Sequence, residues 1–163
     1  MKKILLSTAC ALMVAACSTI QNGSEIYGNG KGGWNENVNI ADLEATANTK
    51  AFHKETPDVV YFALNSSSLD ATAKADLTKQ AEWLKAHPQA LAVVEGRCDE
   101  RGTREYNLAL GDRRANIARN YLISKGVKGN RIRTISYGKD NPVVTGSDEE
   151  SWAKNRSATT VAY

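Results

Sequence analysis

Glu95-Gly96-Arg97-Cys98-Asp99-Glu100-Arg101-Gly102-Thr103-Arg104-Glu105-Tyr106-Asn107 is the densest polar stretch of the 163-residue chain, and it separates two blocks of different periodicity. Before it, Leu91-Ala92-Val93-Val94 is a short apolar, β-branched run that predicts a buried strand ending at Gly96. After it, Leu110, Ile117 and Tyr121 predict a helix over residues 107–125, with Gly126 at the position where a left-handed residue ends helices. A strand that passes through a polar loop into a helix is the unit of α/β architecture. Ligands gather at such strand ends because loop groups and helix N-terminal amides converge there.

The alternation extends in both directions. Val59-Val60-Tyr61-Phe62-Ala63-Leu64 predicts a strand, and Asn65-Ser66-Ser67-Ser68 predicts the turn after it. Leu69, Ala73, Leu77, Ala81 and Leu84 predict a helix over residues 69–87, with Asp70 as N-cap and Pro88 as the stop. Residues 131–137 and 158–163 predict two further strands, with a short helix over 149–155 between them. The order β-α-β-α-β-(α)-β predicts an α/β (α+β) two-layer sandwich, a single mixed sheet with helices on one face.

The N-terminus has a different character. Met1-Lys2-Lys3 is a short positive start, and residues 4–16 carry no charge. That run is too short to span a bilayer, which takes about 20 apolar residues, but fits a signal-peptide core. It ends in Val14-Ala15-Ala16-Cys17. Small residues directly before a cysteine look like a bacterial lipobox, and an ordinary A-x-A-type cleavage site is the alternative. Residues 1–16 are therefore expected to be a signal peptide and Cys17 the lipidation site. Two or three acyl chains, at about 0.8 kcal/mol per buried CH₂, hold a membrane for practical purposes permanently. Ser18 rather than Asp follows, which by resemblance to enterobacterial lipoproteins sorts the chain to the outer membrane, facing the periplasm. Residues 17–50 are polar and rich in glycine near their start, and read as a flexible linker of roughly 30 Å r.m.s. span. Residues 40–43 are a candidate short helix within it. The folded domain is expected over residues 51–163.

Composition excludes several classes of function. With 21 Lys+Arg against 18 Asp+Glu, the net charge of +3 is too small to be an electrostatic footprint for nucleic acid. Losing Lys2 and Lys3 with the signal peptide lowers it to +1. Of the 3 cysteines, Cys10 would leave with the signal peptide and Cys17 would carry lipid, so Cys98 has no partner and no disulfide framework is expected. His53 and His87 stand far apart with no ligand-like spacing to Cys or carboxylates, so no metal and no cofactor is expected.

Within the polar stretch, Asp99 and Arg114 stand out. Arg114 falls about two turns into the following helix, on the flank of the Leu110/Ile117 stripe. An arginine there either snorkels or meets a carboxylate, so a structural ion pair with Asp99 or Glu100 is the plain expectation.

Four ordered blocks then become recognisable: Asp99-Glu100-Arg101-Gly102-Thr103, Tyr106-Asn107-Leu108-Ala109-Leu110-Gly111-Asp112-Arg113-Arg114-Ala115-Asn116, Ser136-Tyr137-Gly138-Lys139 and Lys154-Asn155-Arg156. Together they resemble the OmpA C-terminal-like family, and within it the peptidoglycan-associated (Pal) lipoproteins, over about residues 59–163. The resemblance implies a non-catalytic domain that grips the diaminopimelate of the peptidoglycan stem peptide. It would tether outer membrane to cell wall as part of the Tol-Pal system, with TolB and the inner-membrane Tol complex as partners, and serve constriction during division. Carried over by position, the ligand-binding residues are Asn65, Asp99, Asn107, Arg114 and Arg156. A guanidinium fork at Arg114 would take a carboxylate bidentately while Asp99 takes the amine. Asn107 would orient the loop or donate its amide.

Three positions depart from the resemblance. Asn65 stands where Asp is usual in the Pal branch, Arg97 where His is usual, and Ser157 where a second Arg commonly follows Arg156. Arg97 would add a cation beside the site, and Ser157 would weaken one contact. Alternative functions are an OmpA-like wall-binding lipoprotein outside the Tol system, or a periplasmic hydrolase using Cys98. The latter lacks an adjacent base, and Asp99 would raise the thiol pKa, so Cys98 reads as structural. Trp83 and Trp152 read as core or rim packing rather than a sugar platform.

Overall fold

The computed structural model describes residues 46–163. The expected signal peptide, Cys17, nearly all of the expected linker and the candidate helix at 40–43 lie outside the described residues. Helix α1 (Ala47–Glu55) comes first and straddles the expected linker–domain boundary. It opens with a capping box between Thr46 and Thr49 and contributes one large apolar anchor, the fully buried Phe52. A single anchor carries no periodicity, so nothing in the apolar pattern announces this helix.

Strand β1 (Val59–Tyr61), helix α2 (Ala71–Ala86), strand β2 (Ala92–Arg97) and helix α3 (Arg104–Ser124) follow. A 3-10 turn (Gly129–Arg131) leads into strand β3 (Ile132–Gly138), helix α4 (Glu149–Asn155) and strand β4 (Ser157–Ala162). Asp70 caps α2 by accepting from the Ala73 amide at 2.7 Å, as expected. Helix α3 starts at Arg104 rather than 107, because Thr103 accepts from the Tyr106 amide at 3.2 Å and so nucleates the first turn. Strand β1 stops at Tyr61, because Phe62 and Ala63 turn toward the loop that carries Asn65.

The sheet order is β1-β4-β2-β3, with β2 and β3 parallel and β4 antiparallel to both neighbours. The helix-covered face packs Val60, Ala92, Val94, Ile132, Ala158 and Ala162 against Phe52, Leu77, Ala81, Leu84, Ala115, Ala118 and Leu122. Trp83 belongs to this core, edge-on to Phe52 with ring centroids 5.1 Å apart, and its indole N–H reaches Glu55 at 2.8 Å. Gly96 in β2 and Gly111 in α3 let helix and strand backbones touch, since a Cβ on Gly96 would fall inside the Gly111 carbonyl. No helix among the described residues is long and apolar enough to cross a membrane.

One expectation fails in an instructive way. The buried face of α3 runs through Asn107, Leu110, Gly111, Arg114, Ala115, Ala118 and Leu122, whereas Ile117 and Tyr121 are only half buried. Arg114 therefore sits in the middle of the buried face, not on its flank. The apolar stripe misleads because the true stripe includes the two polar residues, Asn107 and Arg114, that this helix turns inward.

Candidate functional site

Antiparallel β4 places its first residues against the C-terminal ends of β1 and β2, with Ser157 opposite Tyr61 and Ala158 opposite Gly96. Arg156, just before β4, is thereby clamped to the end of β1. Its carbonyl accepts from the Phe62 amide at 2.8 Å and its Nε donates to the Phe62 carbonyl at 3.1 Å. The loop after β2 arrives at the same end. Together these segments form a small pocket lined by Leu64, Asn65, Cys98, Asp99, Arg101, Asn107, Leu110 and Arg114. Of the residues expected to bind ligand, Asn65, Asp99, Asn107 and Arg114 line this pocket. Arg156 reaches it by donating from Nη1 to Asp99 Oδ2 at 3.4 Å.

Arg114 is fully buried and spends most of its donors on the protein itself. Its Nε donates to the Ser66 carbonyl at 2.9 Å, Nη2 to Ala63 at 3.2 Å, and Nη1 to the Arg97 carbonyl at 2.8 Å and to Cys98 Sγ at 3.4 Å. A guanidinium carries five N–H groups, so one on Nη2 is left and the expected bidentate fork is not available in this conformation. Neither Asp99 nor Glu100 pairs with it. Burial drives the Arg114 pKa down, and among the described residues its charge has no carboxylate within ion-pair distance.

Asp99 is bound instead by Arg101, with Nη2 to Oδ2 at 2.8 Å and Nε to Oδ1 at 3.1 Å, and by Arg156. Burial pushes its pKa up, but the hydrogen bonds and charge of Arg101, helped by Arg156, outweigh that and hold it below the ordinary carboxylate value. Arg101 and Glu149 were not among the expected site residues. Glu149 takes Arg156 Nη2 at 2.8 Å, and Arg101 also lies 4.2 Å over the Trp152 ring. The available signal for Arg101 was its position two residues after Asp99, where an Asp carboxylate takes the i+2 amide, here at 3.2 Å. Nothing in the sequence brings Glu149 to this place. Trp152, half buried with its indole N–H on Glu100 at 3.1 Å, is rim packing.

Asn107 orients the loop. Its side-chain N–H groups donate to the carbonyls of Arg101 at 2.8 Å and Thr103 at 3.0 Å, which uses both donors and leaves Oδ1 as the group it can offer a ligand. Lys139 pins the loop from the other side through the carbonyls of Glu100 and Gly102. Ser136 holds α3 by donating to the Leu108 carbonyl at 2.7 Å, and Gly138 accepts from the Cys98 amide at 2.8 Å. Asn65 has φ 53°, a left-handed backbone that asparagine tolerates better than most side chains, and its side chain is exposed at the pocket.

The remaining departures lie elsewhere than expected. The Arg97 guanidinium is not beside the pocket. It lies on the sheet face away from the helices, on Glu95 at 2.6 Å, Thr159 at 3.3 Å and the Tyr137 ring at 4.9 Å, because Glu95 and Arg97 alternate with Val94 and Gly96 across the pleat. Ser157 is buried beneath its Tyr61 partner on that same face. Cys98 is buried, donates to the Asn107 carbonyl at 3.4 Å, and burial raises its thiol pKa, an environment opposite to that of a nucleophile.

Residues 61–156 match the OmpA family. The peptidoglycan-associated lipoprotein of Rhizobium meliloti is 41% identical over 159 residues, covering 97% of this chain and 86% of that protein. That of Haemophilus influenzae is 38% identical, covering 96% and 94%. The crystal structure of the peptidoglycan-associated lipoprotein from Burkholderia pseudomallei superposes with a TM-score of 0.64 at 44% identity, over 66% of this chain and 91% of that one. With a family match that covers every residue lining the pocket, and identity that extends over nearly the full chain, this chain belongs to the OmpA family.

Proposed function

We propose that the domain binds peptidoglycan non-covalently by gripping the diaminopimelate of the stem peptide at Asn65, Asp99, Asn107, Arg114 and Arg156. The observation that carries this reading is a buried cation with no ion-pair partner among the described residues, Arg114, in one pocket with a buried carboxylate, Asp99. A ligand that bears a carboxylate and an ammonium complements that pair. As a member of its family the chain is a binding protein and not an enzyme. Lipid on Cys17 would hold it at the periplasmic face of the outer membrane, with the linker giving it reach to the wall. Modest single-site affinity suffices, because many anchored copies face one polymer. TolB and the inner-membrane Tol complex are the proposed partners, with envelope integrity and constriction as the outcome. The resemblance supports that assignment, and failure of TolB to co-purify after crosslinking would favour a wall tether outside the Tol system.

The test is sedimentation with purified diaminopimelate-type peptidoglycan. Wild type is expected to co-sediment, and Asp99→Asn, which preserves shape and removes the charge, to stay in the supernatant with an unchanged circular dichroism spectrum. Equal co-sedimentation of both would refute the site.

A further inference from the structure

An ionised carboxylate offers about four lone-pair positions. On Asp99 all four are taken: Oδ1 by the Arg101 amide at 3.2 Å and Nε at 3.1 Å, Oδ2 by Arg101 Nη2 at 2.8 Å and Arg156 Nη1 at 3.4 Å. The cavity between Asp99 and Arg114 has a volume of about 10 Å³, no more than a single water fills. In this conformation neither an ammonium nor an amino-acid side chain enters, so a protein group must leave first.

The two arginines on Asp99 differ in their freedom to do so. Arg156 is 9% exposed at its side chain and is further tied to the Phe62 carbonyl and to Glu149. The Arg101 side chain is 36% exposed and, among the described residues, makes hydrogen bonds to Asp99 alone. Its other contacts, the Trp152 ring at 4.2 Å and Glu149 Oε2 at 3.9 Å, lie on α4, outside the pocket lining, and stay available when the guanidinium swings out. Asn107 and Lys139 hold the loop carbonyls on either side, so the side chain can move while the backbone stays.

We infer that Arg101 is a built-in stand-in for the ligand's amine, and that it sets specificity by yielding Asp99 only to a group that brings its own positive charge. The inference rests on the wall-binding reading above. Exchanging one cation for another keeps the buried carboxylate neutralised, whereas a ligand with a blocked amine would have to strip Asp99 of its strongest partner and return nothing. Arg101 therefore lowers apparent affinity by the fraction of time the pocket is closed.

The test measures binding of a soluble diaminopimelate muropeptide to the full chain by calorimetry and stopped flow. Arg101→Ala is expected to bind about fivefold tighter than wild type and to associate faster, since the pocket no longer has to open. Arg101→Met, which keeps the stem packed on Trp152, is expected to behave alike, and its melting curve controls for folding. Arg101→Lys should move back toward wild-type affinity. A muropeptide acetylated on the diaminopimelate amine should fail to bind wild type and Arg101→Lys and should gain weak binding to Arg101→Ala and Arg101→Met, which have no guanidinium to displace; equal discrimination by all four proteins would overturn the specificity role. If wild type binds and both Arg101→Ala and Arg101→Met bind equally or more weakly, Arg101 is a contact or structural residue and the inference is wrong. If neither wild type nor any variant binds the unmodified muropeptide, the wall-binding reading itself fails and takes the inference with it.

Discussion

Arg114 and Arg131 are both buried arginines, set at opposite ends of β2, and both put their guanidinium into backbone carbonyls. Arg131 donates to Leu84, His87 and Ala90, which closes the C-terminus of α2 onto the start of β2. Arg114 donates to Ala63, Ser66 and Arg97, which closes the ends of β1 and β2. Burial lowers the pKa of each. The difference lies in what stands next to them: Arg114 shares a pocket with Asp99, Arg101 and Asn65, while the carbonyls around Arg131 belong to a helix end and its connection. A buried arginine that gathers carbonyls is thus a structural device first. It becomes a candidate site where a carboxylate and a cavity accompany it.

Replacing each arginine should separate the two roles. Arg114→Ala and Arg131→Ala each take a donor from three carbonyls, of which Ala63 and His87 keep a backbone N–H partner, so each should lower stability by about 3 kcal/mol or more, read from urea unfolding. Arg114→Ala should also lose peptidoglycan binding, whereas Arg131→Ala, assayed well below its melting temperature, should keep it. Loss of binding in both would erase the distinction.

Acid offers a finer probe, because Asp99 belongs to one end alone. Its folded pKa lies below the unfolded one, so its contribution is fully present above the unfolded value of about 3.9 and is lost as pH falls through the folded value. The melting temperature should fall below about pH 4, and less steeply in Asp99→Asn. Some decline will persist in that variant, because Asp148, held low by the Ser151 amide at the start of α4, titrates in the same direction. An unchanged slope would show that the Arg101 and Arg156 bonds do not stabilise the fold.

The smallest expected effect is at Cys98, where Cys98→Ala removes a weak S–H donor and an acceptor for Arg114. It should cost about 1 kcal/mol and leave binding unchanged, since the three carbonyls still hold the guanidinium. A collapse of binding would give the thiol a role that its burial does not suggest.

Much of the framework was legible because local patterns carried it. The α2 stripe, the Asp70 cap and the end of α3 at Gly126, with φ 96°, follow from spacing and cap chemistry alone. Helix α1 was not legible, with Phe52 as its one deep anchor. The apolar stripe of α3 is right at Leu110 but points Ile117 and Tyr121 inward, one position before the buried Ala118 and Leu122, because Asn107 and Arg114 are buried yet count as polar in any apolar pattern. Asp99 and Arg114 could be singled out by charge and position, but their partners could not. They were expected to face each other as a pair, and the structure gives Asp99 to Arg101 and Arg156 and gives Arg114 to carbonyls.

By itself, the order of residues determined the alternation of strand and helix, the polar loop between β2 and α3, and the charged residues that loop delivers. These depend on periodicity and caps, which act over a few residues. Only the tertiary structure decided that β4 inserts between β1 and β2 and runs antiparallel to both. That single choice carries Arg156 to Asp99 across 57 positions of chain, with Glu149 beside it, because an antiparallel strand must begin where its neighbours end. It also decided that Arg101 fills the pocket, a competition among three guanidinium groups for one carboxylate that spacing along the chain cannot rank.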